Sequence, residues 1–253
     1  GHCRWCNIDR ETLCDNFRGY IGREIDGGYA EYIKLPIDNF IKIPESINYK
    51  NNLLETAVVC DAVATPLKVI KKARISSFDK VGVIGAGGGL GIHMLKMLKL
   101  NNISSIGIDT KTEKFDVCNK NGAEFSVSPM ENDLNNKIAD YTQGNDLDVV
   151  IDFVSSKSSL ELGASILGKG GRLVTLGGSG EQFLANSADM LVKELELIGS
   201  RYCTKQELKE SLDLYARGLI KPLVSHKTDF NGAEELHNRI ETGDITGRAG
   251  ILI

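Results

Sequence analysis

Three cysteines, Cys3, Cys6 and Cys14, crowd the start of a 253-residue chain, while Cys60, Cys118 and Cys203 stand apart. Cys3-x-x-Cys6 with Cys14 puts three thiolates into a short, polar, turn-rich segment. Tetrahedral zinc takes four ligands, so either a fourth completes a structural metal site or these are ordinary free thiols. Spacing alone leaves both open. No secretory pattern precedes Cys3. In a long chain this favours thiols and metal ligation over a disulfide framework, and a cytoplasmic compartment is the expectation.

A second cluster is Gly85-Ala86-Gly87-Gly88-Gly89-Leu90-Gly91, which follows the apolar run KVGVIG and opens the helical GIHMLKMLKL. Strand, glycine turn and helix in that order form the setting in which a dinucleotide fingerprint carries weight. Small residues let backbone N–H groups approach a pyrophosphate, and the helix N-terminus adds partial positive charge. The register Gly85-x-x-Gly88-x-x-Gly91 fits best, with Gly89 and Leu90 inside it, because Leu90 occupies the last slot of G-x-G-x-x-G. Asp109 closes the next apolar run, about 20 residues on, where an acid grips the adenosine ribose hydroxyls. A carboxylate there repels a 2′-phosphate, so NAD is expected over NADP. Lys114 lies near enough in sequence to reach the same ribose.

The elements that must position these groups are legible from periodicity. From Lys80 onward, short continuous apolar runs at 80–85, 103–109, 123–128, 147–153, 171–177 and 195–200 alternate with helical patterns. Continuous apolar strands are those buried on both faces. Alternation with helices implies right-handed crossovers and a doubly wound parallel α/β sheet. Residues 19–50, with paired glycines and prolines around alternating stretches, predict antiparallel β structure with turns. The tail reads as a helix near 204–217, a strand SHKTDF, a helix and a last strand RAGILI. Domain limits of 1–50, 51–203 and 204–253 follow, the two ends forming one partner domain. A net charge of −4 without long single-sign runs excludes a polyanion-binding surface, so nucleic acid is not an expected partner. No apolar stretch reaches the ~18 residues that suggest a membrane span.

Taken together, these residues resemble zinc-containing medium-chain alcohol dehydrogenases of archaeal and bacterial type. The resemblance runs through the cysteine lobe, GGYAEYIKLP, VIGAGGGLG, Asp109 with Lys114, LVTLGG and the terminal GRAGILI. It implies a Rossmann cofactor domain plus the remainder of a GroES-like β-rich catalytic domain, NAD as cofactor, and structural and catalytic zinc. Cys3, Cys6 and Cys14 then match three of the four structural ligands. The resemblance also implies an N-terminally truncated fragment, with the fourth cysteine and two catalytic zinc ligands lying before Gly1, and hence an inactive chain as it stands. For the third catalytic ligand, a pattern like C/D-x-x-x-T sets Asp61 four residues before Thr65, with Thr65 behind the nicotinamide; Cys60 is the rival by chemistry, one residue out of register. Arg248 matches an arginine that reaches the cofactor phosphates, and the loops around Gly178 and Ser200 would line the nicotinamide side.

The implied activity is zinc-dependent hydride transfer between an alcohol and NAD, giving an aldehyde or ketone, by a homo-oligomer (dimer or tetramer). The alternatives are a zinc-free quinone-reductase-like member and a non-catalytic NAD-binding protein. The run DAVATP also resembles dehydrogenases acting on cyclic hydroxyacyl-CoA esters, which leaves the substrate open.

Overall fold

A computed structural model describes all residues from Gly1 to Ile253. They divide into two compact units: Thr65–Arg201, and a discontinuous unit of Gly1–Ala64 with Tyr202–Ile253. The division falls inside a helical run rather than at residue 50. Helix α1 (Leu53–Val58) and the turn of π-helix after it, Val59–Val63, cluster with the chain ends, and α2 (Ala64–Lys72) carries the chain onward. No helix is long and apolar enough to cross a membrane.

The 65–201 unit is the doubly wound sheet. Its strands are β1 (Lys80–Ile84), β2 (Ser104–Ile108), β3 (Ser126–Val127), β4 (Leu147–Asp152), β5 (Leu167–Thr175) and β6 (Glu196–Gly199), all parallel in the order 3-2-1-4-5-6. The crossovers are α3 (Gly91–Leu100), α4 (Phe115–Lys120), α5 (Leu134–Thr142), α6 (Lys157–Ser165) and α7 (Ser187–Lys193). After its first residue β1 is buried throughout, and α3 buries seven of its ten residues. That is the pattern of a helix covered by sheet on one side and further chain on others. Ile106, Ile108, Val127, Ile138, Leu147 and Val150 form part of one contiguous core. At the base, Arg172 donates to the Ala73 carbonyl at 2.7 Å and pairs with Asp79, with both side chains almost wholly enclosed. This strand order reverses direction between β1 and β4, and ligands of such sheets bind outside the carboxyl ends at that point.

The other unit corrects one expectation. Residues 19–50 contain no strand, only an isolated bridge between Ile21 and Ile25 and single 3-10 turns at Ile37–Asn39 and Tyr49–Asn51. A strand needs a partner, and a lone hairpin is marginal in water. Tyr32 and Ile37 stay 89% and 81% exposed, without an opposing sheet. Tyr29 instead stacks on His237 and meets its Nε2 at 2.9 Å. The tail behaves as its pattern predicts. Helix α8 (Lys205–Ala216) leads to β7 (Val224–Asp229), then α9 (Ala233–Glu241) crosses to β8 (Arg248–Leu252), and β7 and β8 pair in parallel. Strand β8 lies so close to α1 that a Cβ on Gly250 would overlap Leu54.

Candidate functional site

The glycine turn is built by backbone closeness. Gly85 takes a positive φ of 74° and, with Ala86, donates its N–H to the Ile108 carbonyl, at 2.9 and 3.3 Å. Gly91 opens α3 against the turn itself, and any Cβ there would run into the Gly85 carbonyl oxygen. Gly88 donates to Gly85 O at 3.1 Å, the Gly89 carbonyl accepts from His93 Nδ1 at 2.7 Å, and the Leu90 carbonyl accepts from Met94 N–H at 2.8 Å. Of the expected glycines, Gly85 and Gly91 meet the strictest demands, while a Cβ on Gly88 would meet Gly85 O at 3.2 Å.

Gly87 was missed by the three-residue register, yet it is the centre of the site. Its N–H donates to Asp109 Oδ2 at 2.8 Å, and Asp109 Oδ1 accepts from Lys111 N–H at 3.0 Å. A Cβ on Gly87 would stand 2.5 Å from Lys114 Cδ and 3.2 Å from Asp109 Oδ2. Glycine turn, Asp109 and the enclosed Lys114 therefore form one cradle, fixed before any ligand arrives. The signal was present: Gly85-x-Gly87 is the opening of the commoner fingerprint. A cradle that any added Cβ would fill, with a carboxylate at its strand end, fits the adenosine diphosphate half of a dinucleotide.

A second network at the same sheet edge carried no sequence signal. Fully buried Asp152, ending β4, accepts from Val154 N–H at 2.8 Å, Ser155 N–H at 2.9 Å and Ser159 Oγ at 2.7 Å. Ser155, at φ 54°, meets Thr175 Oγ1 at 2.7 Å and accepts from Gly177 N–H at 2.8 Å. The loops after β4 and β5, beside Gly178, are thereby pinned together. Ser200 follows β6 and is buried, and its Oγ has no partner.

In the discontinuous unit, Cys3, Cys6 and Cys14 converge with their sulfurs within 4.8 Å of one another. Two 3-10 turns, Cys6–Ile8 and Glu11–Leu13, fold the segment back on itself, and the Arg4 and Arg10 guanidiniums both lie over the Trp5 ring. The Asp15 N–H pulls the Cys3 thiol down to about 7, while partial burial and the two neighbouring sulfurs push Cys6 up. A Cβ on Gly1 would meet Cys6 Sγ at 2.6 Å, so glycine leaves the trio open on that side. Three soft donors at this spacing fit zinc.

The catalytic-metal expectation meets a different geometry. Asp61 gives its carboxylate to the Arg248 guanidinium, and no three metal-ligating side chains cluster around it. Asp61 is taken up by that ion pair here, and the two further catalytic ligands that the resemblance implies are expected before Gly1. The turn here is irregular: Ala64 N–H reaches back to Val59 O, five residues rather than four. A π turn inserts one residue, so a full turn back from Thr65 through it ends at Cys60. Cys60 Sγ donates to Ala57 O at 3.1 Å, and the surrounding protein with the Asp61 carboxylate pushes its thiol up. Arg248 pairs with Asp61 rather than standing free for phosphate, but its buried Nε has no acceptor in the chain. Thr65 is buried in α2.

Known proteins agree with this architecture. The family model described as zinc-binding dehydrogenase matches residues 89–217, just over half of the chain. An NAD-dependent alcohol dehydrogenase of Sulfurisphaera tokodaii is 28% identical over 253 aligned residues, covering 98% of this chain and 70% of that protein. An acryloyl-coenzyme A reductase of the same organism is 27% identical, covering 98% and 72%. The crystal structure of the alcohol dehydrogenase from Aeropyrum pernix superposes with a TM-score of 0.90 at 28% identity, over 98% of this chain and 72% of that one. With the parallel sheet, glycine turn and cysteine trio already in place, the match over half the sequence makes the chain a member of the zinc-binding dehydrogenase family.

Proposed function

We infer that this chain is an NAD-dependent oxidoreductase of the alcohol dehydrogenase type, exchanging a hydride between an alcohol and its aldehyde or ketone. The observation that carries this is the cradle in which Gly87 N–H and Lys111 N–H hold the two Asp109 oxygens. That carboxylate is oriented in advance to accept from ribose hydroxyls and repels a 2′-phosphate. Gly85, Gly88, Gly89, Leu90 and Gly91 form the backbone cradle for the diphosphate, with Lys114 beside the ribose. NAD, when bound, supplies the hydride acceptor; the protein's part is orientation and electrostatics. Cys3, Cys6 and Cys14 are the ligands for a structural zinc, which would cross-link a segment with little core of its own. The Asp61–Arg248 pair favours a second reading at that position, hydride transfer with no metal on Asp61. Arg248 then offers Nε to an anionic group while Asp61 steadies its other edge.

Homo-oligomerisation is part of this proposal. Strand β6 is an edge strand, and Leu184, Leu191 and Val192 beside it are 79%, 79% and 72% exposed. A cytoplasmic location accords with six free cysteines. Titration with NADH and NADPH, followed by nicotinamide fluorescence, tests the reading without requiring turnover. Tighter binding of NADH by tenfold or more, about 1.4 kcal/mol, is expected; equal or tighter NADPH binding overturns it. A panel of primary and secondary alcohols and enoyl-CoA esters then separates alcohol oxidation from chemistry like that of the acryloyl-coenzyme A reductase relative.

A further inference from the structure

The short strap Tyr202–Lys205 is gripped from two sides within the discontinuous unit. On one side stands the cysteine lobe. Glu11 begins the turn that Cys14 N–H closes on Glu11 O at 3.1 Å, so whatever holds Cys14 also holds Glu11. The Glu11 carboxylate accepts from the N–H of Lys205, the first residue of α8. That N–H is one of the four a helix leaves without internal partners. It is not served by the capping box of α8, in which Thr204 and Glu207 satisfy each other. A second line runs from Cys14 O through Phe17 N–H, at 3.2 Å, then edge to face from Phe17 to Tyr20 and from Tyr20 to Tyr202, with centroids 4.8 and 5.8 Å apart.

On the other side stands the π turn. Cys203 Sγ donates to the Cys60 carbonyl at 3.4 Å. Leu208 and Leu212 of α8 line a trough of about 320 Å³ together with Thr56, Ala57 and Cys60. Four consecutive residues thus connect the thiol trio to the turn that decides whether Cys60 or Asp61 faces a given direction.

We propose that Glu11 is a positioning residue that transmits metal occupancy of Cys3, Cys6 and Cys14 to the start of α8 and, through the strap, to the π turn at Val59–Val63. This rests on the reading of the trio as a metal site. A metal that fixes three sulfurs also fixes the turn beginning at Glu11, so capping Lys205 then costs less ordering entropy. Coupling is reciprocal: if metal tightens the cap, loss of the cap weakens the metal by the same factor.

The test is amide hydrogen exchange on the full chain with and without zinc, with cobalt(II) absorption as the independent readout of metal uptake. Zinc is expected to slow exchange at Lys205 and Ala64 by about threefold to tenfold, the range for one hydrogen bond. Glu11→Ala should abolish that slowing and weaken cobalt(II) binding by a similar factor. Glu11→Gln, which keeps an acceptor oxygen, should restore most of both. Unchanged exchange at Val83 certifies that each variant is folded. Cobalt(II) uptake with unaltered exchange at Lys205 and Ala64 overturns the coupling while leaving the metal site standing. No cobalt(II) uptake overturns both. Wild-type slowing in Glu11→Ala removes Glu11 from the path and overturns its role.

Discussion

The sheet unit and the first fifty-two residues solve the folding problem by different means. In β1 and β2 every residue after the first is buried, and helices cover both faces. In the opening segment Ile47 is the one buried residue. Layers of secondary structure bury area, which is the dominant favourable term in folding. A segment without layers must be held by point contacts: three converging thiols, two guanidiniums on Trp5, and Glu11 on α8. The difference teaches where each kind of damage will register.

The comparison breaks most sharply at Arg172. Arg172→Met leaves Asp79 enclosed without its cation, and loss of one partner of such a pair costs about 3–5 kcal/mol. Urea unfolding followed by far-UV circular dichroism should show it as a large fall in midpoint. Gly91→Ala comes next, since its Cβ meets backbone that cannot swing aside; about 1–3 kcal/mol of stability should go, with NADH binding lost in the protein that remains folded. Asp109→Gly should leave the unfolding midpoint less affected while weakening NADH about tenfold, near 1.4 kcal/mol, and narrowing the gap to NADPH. Cys14→Ser should have the smallest effect on the sheet unit, within about 0.5 kcal/mol, while removing cobalt(II) thiolate absorption. If Cys14→Ser lowered the main midpoint as much as Arg172→Met, the two regions would not be held by separate means.

Much of this was readable because it is local. A continuous apolar run bounded by turns is a buried strand wherever it occurs, and the glycine turn with Asp109 needed only spacing. The convergence of Cys3, Cys6 and Cys14 was visible for the same reason. What escaped was set by pitch or by distance along the chain. Counting four residues from Thr65 to Asp61 assumes an α-helix, and the π turn at Val59–Val63 adds one. The Asp61–Arg248 pair joins residues 187 positions apart, a contact no local pattern encodes. Residues 19–50 have the alternation of strands, but alternation is only half of a strand; the other half is a neighbour, and none is present. Gly87 was overlooked because the register Gly85-x-x-Gly88-x-x-Gly91 leaves it out, and its closeness to the Lys114 stem depends on the fold.

The discontinuous unit imposes an order of events on synthesis. Residues 65–201 contain all six strands of the parallel sheet, and domains tend to fold as units while the chain emerges N-terminal end first. The Tyr202–Ile253 segment brings α8, β7, α9 and β8; of these, β8 packs on α1, α8 on the π turn, and Lys205 of α8 pairs with Glu11 of the cysteine lobe. Residues 1–64 leave the ribosome before the 65–201 unit and wait longer than it does for their partners. Throughout that interval three thiols sit on an open, unfinished segment, so metal capture can precede completion of the unit that will enclose it. A thiol-bearing segment of this protein is therefore made before the elements that complete it.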